Sequence, residues 1–537
     1  MDIILHTNFS GITLILLAAI FLCSTCTIIY RLYFHPLSHF PGPKLAAATK
    51  WYECYFDVLK GEGGQYFRRI SEMHDHYGSI VRINPDELHI RDASQYEIIY
   101  SGKRDLWPPA AAMAGMDKHT FGTVPHDLHR RRKAANMPLM GKRVVVDAVP
   151  MIRSHVVKLR TAFAAAAESG KALELGVTFL AYTSDIVGRY FFDQSLGMQV
   201  DSLKAQQWKT ASRKMITMAP IVKQFPGILK PALMMPPSVM NWLAPEMAAL
   251  MGIHHNMQAR ATSYLKDAEH GSARSGGDVK AGRPTTLFDS IYEHPAPPEE
   301  KSVTRLFQEG VNVIIAGSET TARVMTRAIY ELTANPDVMS RARQELKAEA
   351  ARVGRPVEEL TLNELEHLPW LAAVLKESLR MAAIVTSRLP RCPHEPMQYK
   401  QWTIPAMTPV SLTPHDVLHD PTVYALPERF YPERWLTTSD DGSLALHSDL
   451  ERFFVIFGKG PRMCQGINLA YAEMYFAIAT LITAFDFELF DVVRERDIDY
   501  TSDCFLGEAR ADSPGVWVFC NKEDIQPSYS VPGDSMQ

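Results

Sequence analysis

The chain has 537 residues, enough to bury a large core, and its 46% hydrophobic and 22% charged residues are the proportions of an ordinary globular protein. The formal net charge of -4 gives no reason to expect nucleic acid as a partner. Seven cysteines, an odd number at mostly long spacings, argue against a disulfide framework and favour a reducing compartment.

The N-terminus carries a long apolar segment. No Asp, Glu, Lys or Arg occurs from Ile3 to Tyr30, and Arg31 follows at once. This predicts an uncleaved membrane anchor over residues 1–34, with the body on the cytosolic side. A cleaved signal peptide fits less well, because the segment is too long and lacks an initial positive charge. We expect the CxxC cysteines within it, Cys23 and Cys26, to be buried small residues.

The rest of the chain predicts one domain, 45–537, that is mainly α with a small β portion (α+β). Three prolines and a glycine in residues 35–44 predict a stiff, extended hinge. The alternating stretch 79–92 predicts a β-hairpin around an Asn-Pro-Asp turn. Helical patterns cover about 150–270 and 302–385, and the polar stretch 268–300, rich in Gly and Pro, predicts a surface loop between them.

A basic run, His129 to Lys133, is by itself typical of a solvated face. Further along, an apolar stretch through Ile315 predicts a long buried helix that contains Gly317, Glu319 and Thr320. The glycine costs about 1 kcal/mol of helix stability relative to alanine. A buried acid must be paired or take part in proton transfer, and the threonine can bond to the backbone or to a ligand. The alternative is a core helix with one unfavourable glycine.

Glu377 and Arg380 stand at i, i+3 and share one helix face, so they can pair. Thr361 and Glu364 fit a capping box for the preceding helix, and Pro369 fits the first turn of the next one. An exposed ion pair of this kind contributes little stability, so the pair has structural meaning only if it is buried.

The stretch FGKGPRMCQG, residues 457–466, surrounds one cysteine with glycines. A thiolate is a strong ligand for iron. Because glycine permits tight turns, Gly458, Gly460 and Gly466 would let the backbone approach a flat cofactor closely. Helical composition follows, so Cys464 would lie just before a helix N-terminus, which favours the thiolate. A glycine-rich loop with a structural cysteine is the alternative reading.

The full pattern F-x-x-G-x-R-x-C-x-G resembles the heme-binding loop of the cytochrome P-450 family, the heme-thiolate monooxygenases. Further motifs match in order along nearly the whole chain. The resemblance implies the cytochrome P-450 fold after one transmembrane helix. It also implies heme b with Cys464 as the axial ligand of its iron, Phe457 and Gly458 at the cofactor, and Arg462 on a propionate.

The same resemblance implies further heme contacts. In the family a tryptophan and an arginine, four residues apart, bind the propionates where this chain has His129 and Lys133. Because of this departure, whether Lys133 or Arg132 makes the ionic contact stays open. Arg391 resembles another propionate contact, with Arg388 as an assisting residue.

In the central helix, the family pattern makes Gly317 a widened turn beside the heme. It assigns proton delivery during dioxygen activation to Glu319 and Thr320.

The family also buries a structural triad, for which Glu377 and Arg380 are two members. Two arginines, Arg434 and its rival Arg429, fit the third place, and Arg434 fits the family's register better.

The implied reaction inserts one oxygen atom of dioxygen into a hydrophobic small molecule by hydroxylation or epoxidation. Electrons would come from NADPH through a separate membrane-bound reductase, since no flavin or nicotinamide fingerprint occurs in the chain. The resemblance places the anchored protein itself in the endoplasmic reticulum membrane, with its catalytic domain facing the cytosol. The remaining basic residues of 129–133 would help to dock that reductase.

Apolar, Met-rich segments are expected to face the substrate, which suits a bulky apolar molecule. They are the loop 105–124 with Trp107, Met113, Met116 and Phe121, the helix positions Val311, Ile315 and Ala316, residues 383–386, and Phe505 with Leu506. Similarity of short stretches to fungal terpenoid oxygenases predicts a terpenoid or related product of secondary metabolism.

Two other functions are possible within this fold. Heme-thiolate isomerases and dehydratases work without a reductase, but they often lack the Glu-Thr pair that is present here. A non-catalytic heme sensor would have no need of both a membrane hinge and a proton relay.

Overall fold

The computed structural model describes residues 2–228, 235–270, 286–382, 384–439 and 442–522. We number its helices α1 Asp2–Ile29, α2 Lys44–Ala48, α3 Trp51–Cys54, α4 Tyr66–Tyr77, α5 Tyr96–Tyr100, α6 Pro108–Ala112, α7 His126–Asn136, α8 Lys142–Asp147, α9 Val149–Ser169, α10 Leu175–Phe192, α11 Ser202–Thr217, α12 Ala219–Gln224, α13 Pro237–Leu243, α14 Ala248–Glu269, α15 Leu287–Glu293, α16 Val303–Ala334, α17 Pro336–Val353, α18 Leu362–Glu366, α19 Pro369–Met381, α20 Pro414–Leu418 and α21 Ile467–Ala484.

The strands are short. They are β1 Ile80–Arg82, β2 Leu88–Ile90, β3 Arg104–Leu106, β4 Leu173–Glu174, β5 Arg391–Pro393, β6 Met397–Tyr399, β7 Trp402–Ile404, β8 Val410–Ser411, β9 Leu436–Thr438, β10 Leu444–Leu446, β11 Phe485–Phe490, β12 Ser502–Cys504, β13 Leu506–Glu508 and β14 Trp517–Lys522. The mainly helical architecture with a small β portion is confirmed.

The largest sheet has five strands in the order β1-β2-β8-β5-β3. β1 and β2 pair antiparallel, with Ile80 opposite Ile90, so the predicted hairpin is confirmed. Strands β5 and β3 also pair antiparallel, with Arg391 opposite Leu106. This sheet therefore places Arg391 next to the segment that leads into the loop 107–125.

The core is one large apolar cluster that reaches from Leu37 to Cys520 and is crossed by the 32-residue helix α16, which we call the central helix. It packs against α10, where Val187 lies so close that a Cβ on Gly317 would come within 2.8 Å of it. Helix α21 is long and apolar enough to span a membrane, but 67% of that stretch is buried. Because its partners are core helices, α21 belongs to the protein interior.

The N-terminal helix differs from α21 in that nothing covers it. Thr13–Phe34 is long and apolar enough to cross a membrane, and none of it is buried in the protein. Cys23 and Cys26 are therefore exposed on this helix, and the expectation that they are buried is wrong. None of the seven cysteines forms a disulfide, as the spacing predicted.

The segment after the anchor is folded rather than extended. Residues 36–39 form a turn in which the Ser38 N–H donates to the His35 carbonyl at 2.8 Å. Leu37 and Phe40 are buried in the main core. Burial of these two side chains pulls the chain into a compact turn, so the prediction of an extended hinge is wrong for these residues.

The predicted surface loop 268–300 is interrupted by α15. Thr286 and Asp289 form a capping box, and Leu287, Phe288 and Ile291 behind it are buried. The cap with its apolar residues was the missed signal, because Gly and Pro dominate the composition around it. Residues 271–285 of the predicted loop lie outside the described part of the chain. The capping box at Thr361 and the first-turn Pro369 are both present as predicted.

Candidate functional site

The Cys464 loop, residues 457–466, is a tight turn closed by its own backbone. The Cys464 N–H donates to the Phe457 carbonyl at 2.8 Å, and α21 begins at Ile467 after Gly466. Gly458 and Gly460 both have a φ of 70°. A Cβ on Gly460 would come within 2.5 Å of the Tyr100 carbonyl oxygen. These two glycines are therefore required by backbone geometry, whereas Gly466 has an ordinary φ of -85° and open space around it.

The thiol of Cys464 lies close to the half-buried Lys133. The Lys133 ammonium donates to the carbonyls of Pro461 and Met463 at 2.9 and 3.0 Å, so it holds the loop. Burial raises the pKa of the Cys464 thiol, while the Gly466 N–H and the Lys133 charge lower it in part. Because coordination to a metal ion deprotonates a thiol outright, the site favours thiolate only when a cation is bound there.

Three basic side chains near this loop have buried nitrogens without an acceptor among the described residues: Arg391 Nε, Arg462 Nε and His129 Nδ1. Burial and the neighbouring Arg391 lower the pKa of Arg462 to about 9. Burial and Arg462 lower the pKa of His129 to about 2. His129 is therefore neutral, whereas the Arg391 and Arg462 guanidinium groups are cations with buried nitrogens and no ion-paired carboxylate among the described residues, so the cluster fits a ligand that brings carboxylates. Heme has that chemistry, with propionates for the cations and iron for the thiolate.

Arg132 and Lys133 are adjacent in sequence but have different partners in the structure. Arg132 forms a bidentate ion pair with Glu300, with both N–O distances 2.7 Å, and turns away from the Cys464 loop. Lys133 lies at the loop itself. Arg388 is also committed elsewhere, to Glu87 at 2.9 Å and Glu53 at 2.7 Å. The expectation that Arg388 assists a propionate contact is wrong, because its charge is already neutralised by this buried pair.

The central helix leaves one stripe of residues uncovered. Val313, Ala316 and Thr320 lie on one helical face; Ala316 is exposed and the other two are half-buried, although Ser318 and Glu319 between them are fully buried. The Thr320 hydroxyl donates to the Ala316 carbonyl at 2.8 Å. Gly317 faces α10, where its missing side chain allows the close contact with Val187. The helix is continuous α-helix through this region.

Glu319 is completely paired. Its carboxylate accepts from Arg323 at 2.9 Å, from Lys209 at 3.2 Å and from the Ser212 hydroxyl at 3.1 Å. Burial alone would raise its pKa, but Lys209 and Arg323 lower it to about 2. A carboxylate with this pKa holds no proton near neutrality. Glu319 therefore stays ionised, and a part in proton delivery would depend on its Lys209 and Ser212 donors rather than on a proton of its own.

The proposed triad residues come together in the core. Glu377 Oε1 lies 2.8 Å from an Arg380 terminal nitrogen and 3.1 Å from Arg434 Nε, and all three side chains are at most 5% exposed. The Trp435 indole N–H donates to Glu377 Oε2 at 2.8 Å. The rival Arg429 contributes only its carbonyl, while its side chain is exposed over Tyr431.

The segments expected to face substrate divide into two groups. Met113, Met116, Phe121, Ile315 and Phe505 are half-buried. Val311, Thr386 and Leu506 are buried, so their side chains pack inside the protein. Trp107 is half-buried at the start of α6. Ala383 lies outside the described residues.

Sequence reasoning missed a carboxylate that shapes this region. Asp503 Oδ1 accepts from the hydroxyls of Thr386, at 2.9 Å, and Ser387, at 2.5 Å, and from the Phe505 N–H at 3.2 Å. Phe505 itself has a φ of 79°, a strained conformation for a non-glycine residue. Because Thr386 and Ser387 are more than 100 residues from Asp503 in sequence, no local pattern could have indicated these contacts.

Comparisons with known proteins agree with the chemistry expected of this site. The family model described as Cytochrome P450 matches residues 48–512. The chain is 38% identical to tryptophan 6-hydroxylase fscE of Fusarium equiseti, over 91% of this chain and 93% of that protein. It is 36% identical to cytochrome P450 monooxygenase sdnE of Sordaria araneosa, over 91% and 94%. Identity to N-acetyltryptophan 6-hydroxylase ivoC of Emericella nidulans is 35%, over 95% and 96%.

Proposed function

Because the chain belongs to the cytochrome P450 family, we propose that it hydroxylates or epoxidises a bulky, hydrophobic natural product of fungal secondary metabolism. The observation that carries this proposal is that the Cys464 loop lies beside two guanidinium groups, those of Arg391 and Arg462, for which the described part of the chain offers no ion-paired carboxylate. A reductase-independent isomerase remains the alternative, and the presence of Glu319 and Thr320 argues against it.

The bound heme supplies dioxygen activation and transfer of one oxygen atom to the substrate, with the other atom leaving as water. Around it, the chain's own residues have separate tasks. Cys464 would provide the sulfur ligand of the iron, and Lys133 fixes the loop that carries it. Arg462, Arg391 and His129 bind the propionates through their free nitrogens. The Thr320 hydroxyl holds a proton on the uncovered helix face, and the preceding residue, Glu319, fixes the Lys209 and Ser212 donors through its carboxylate.

The electrons come from NADPH through a separate reductase. Arg130 and Arg131 are exposed on α7, the same helix that carries Lys133 to the Cys464 loop. Two exposed cations beside the heme-binding loop suit an acidic docking surface. Arg132, buried against Glu300, has no part in this contact.

The helix α1 anchors the protein in the endoplasmic reticulum membrane with the body facing the cytosol. Arg31 directly follows the uncharged stretch, and basic residues favour the cytosolic side. The body also has exposed apolar side chains near the anchor, including Leu45, Trp51 and Leu59, and the Trp51 ring lies 6.1 Å from that of Phe225. Such a patch suits contact with lipid.

The substrate we propose first is a terpenoid, because Met113, Met116 and Ile315 give an adaptable apolar lining. A flat aromatic molecule is the second candidate. Two relatives are named as hydroxylases of tryptophan and N-acetyltryptophan. The Phe121 and Phe505 rings also meet edge to face, at 5.4 Å, which is a suitable contact for an indole.

The test is reconstitution with reductase and NADPH and a panel of terpenes and indoles. We expect substrate-dependent NADPH consumption and a product that has gained one oxygen atom from labelled dioxygen. A protein that binds heme through Cys464 but turns over a peroxide without reductase would support the isomerase instead. Heme binding without any turnover would favour a sensor. Comparison of the terpene and indole sets decides between the two substrate classes.

A further inference from the structure

The segment 117–124 lies between the central helix and the Cys464 loop. It has no helix or strand of its own. Its end is held at the Cys464 loop, because an Arg462 terminal nitrogen donates to the Val124 carbonyl at 2.8 Å. In its middle, the Phe121 ring meets the ring of the strained Phe505 at 5.4 Å. The position of Phe121 must therefore be fixed by contacts outside the segment.

Those contacts come from one turn of the central helix. Glu309 Oε2 accepts from the Thr120 N–H at 2.7 Å and from the Thr120 hydroxyl at 2.8 Å. Its other oxygen accepts from the Asn136 amide at 2.9 Å. The neighbouring Gln308 accepts from the Lys118 N–H at 2.7 Å. The side chains of two consecutive residues of α16, Gln308 and Glu309, thus accept hydrogen bonds from the backbone N–H groups of Lys118 and Thr120, immediately before Phe121.

The carboxylate of Glu309 is also charge-compensated. Arg305 pairs with it one turn earlier, and both side chains are 1% exposed. Burial alone would raise the pKa of Glu309, but Arg305, His119 and the Thr120 donors lower it below the ordinary value. Because charged acceptors make the stronger hydrogen bonds, an ionised Glu309 holds Thr120 more tightly than a neutral side chain would.

A second ion pair supports the segment from the other side. Arg132 donates to the Asp117 carbonyl at 3.1 Å and to the Thr123 hydroxyl at 2.8 Å, while Glu300 neutralises it. Arg132 therefore belongs to the support of this segment, which explains why it does not contact the Cys464 loop.

We propose that Glu309 is a positioning residue for substrate selection, because it fixes the backbone at Thr120 and thereby the place of the Phe121 ring beside the heme site. The inference rests on the proposed function for the position of the heme. It goes further by naming the buried carboxylate that sets the steric boundary of the site through Phe121.

The test compares two iron ligands in the ferric holoenzyme, imidazole and 4-phenylimidazole, titrated by the shift of the Soret band. Both bind through the same ring nitrogen, but only the second carries an apolar ring that reaches the surrounding side chains. We expect Glu309→Gln to change the ratio of the two dissociation constants by about fivefold, the value of one aromatic contact, with imidazole alone changing little. Thr120→Val removes the hydroxyl that donates to Glu309 and accepts from the Asn136 amide at 3.2 Å, but it keeps the backbone N–H bond to Glu309, so it should move the ratio in the same direction by less.

A double-mutant cycle with Phe121→Leu shows whether the effect passes through Phe121. If it does, Glu309→Gln causes no further change of the ratio in the Phe121→Leu background. Additive effects of the two substitutions would overturn the proposal. The proposal would also be overturned if Phe121→Leu changed the ratio of the two dissociation constants while Glu309→Gln and Thr120→Val both left it unchanged.

Glu331→Gln is the matched control. Glu331 lies on the same helix, is equally buried, and pairs with Arg327 at i−4 with an N–O distance of 2.7 Å, as Glu309 pairs with Arg305. Its substitution should reduce stability but leave the ratio unchanged. An equal change in this control would mean general loosening and would overturn the proposal. The carbon monoxide spectrum of each variant separately reports the heme-thiolate bond, so failure of the proposed function is distinguishable from failure of this inference.

Discussion

Two sides of the candidate heme site are built in different ways. The side that carries the thiolate is one continuous stretch, residues 457–466, shaped by positive φ angles and by a backbone hydrogen bond from Cys464 to Phe457. The opposite side is assembled from the central helix and the segment 117–124, joined by the buried carboxylate of Glu309. Local backbone geometry therefore shapes the Cys464 loop, whereas long-range charge pairing holds the segment 117–124 that we propose as a boundary of the substrate site.

This difference separates the expected consequences of substitution. A change in the Cys464 loop should alter heme ligation directly. A change in the buried ion pairs should leave the ligand in place and alter stability or selectivity instead. The following variants test this division, beginning with the largest expected effect.

Cys464→Ala should abolish the red-shifted Soret band of the reduced carbon monoxide adduct, because the axial sulfur is the group that produces it. Cys520→Ala is the control, since Cys520 is buried in β14, away from the loop. We expect the control to keep the band at full intensity. Retention of the band in Cys464→Ala would show that another side chain holds the iron and would remove the basis of the proposed function.

The thiolate side could be predicted from the sequence because its determinants lie close together. The glycines at 458 and 460, Arg462 and Cys464 occupy seven consecutive positions, and each was identified before the structure. The pair Glu377 and Arg380 is likewise local, at i, i+3. Its third member, Arg434, was found only through the resemblance to the P-450 family, because no local pattern links residues 57 positions apart.

The substrate side was predicted only in outline. The segment containing Phe121 was identified, but the acceptors that hold it, Gln308 and Glu309, lie about 190 residues further along. Arg388 was misplaced for the same reason, since its partners Glu53 and Glu87 are more than 300 residues away in sequence. A side chain's partner is set by tertiary packing, which neither periodicity nor composition specifies.

Glu377→Ala should cost about 3–5 kcal/mol of stability, because it leaves two buried guanidinium groups without a counter-charge. Trp435 also loses the acceptor of its indole N–H. Thermal unfolding followed by circular dichroism measures the effect. Arg429→Ala is the control; its side chain is exposed, so a change within about 0.5 kcal/mol is expected. Equal effects of the two substitutions would contradict the choice of Arg434 over Arg429.

Gly460→Ala and Gly458→Ala separate conformational strain from steric overlap within the Cys464 loop. Both glycines have a φ of 70°, so each alanine should cost about 1 kcal/mol for the left-handed conformation. At Gly458 the new Cβ makes only an ordinary contact, with Met463 Cα at 3.8 Å, whereas at Gly460 it would lie 2.5 Å from the Tyr100 carbonyl oxygen, which should add about 1–3 kcal/mol. Unfolding of the two variants, with heme content measured alongside, gives the difference. Equal losses would show that the contact with Tyr100 is not required.

Thr320→Ala should have the smallest effect on the fold, because among the described residues the hydroxyl bonds only to the Ala316 carbonyl of its own helix. Its effect should appear in the coupling of NADPH consumption to product formation. Without a hydroxyl on the uncovered helix face, protons arrive less selectively, and a larger share of NADPH consumption should end as hydrogen peroxide. Thr326→Ala is a matched control, since Thr326 makes the same bond to Ala322, at 2.9 Å, further along the helix. The ratio of peroxide to oxidised product, measured at equal NADPH consumption, should rise in Thr320→Ala and stay constant in Thr326→Ala. If both variants remain fully coupled, proton delivery does not depend on this hydroxyl, and the uncovered stripe of the central helix serves only to shape the cavity.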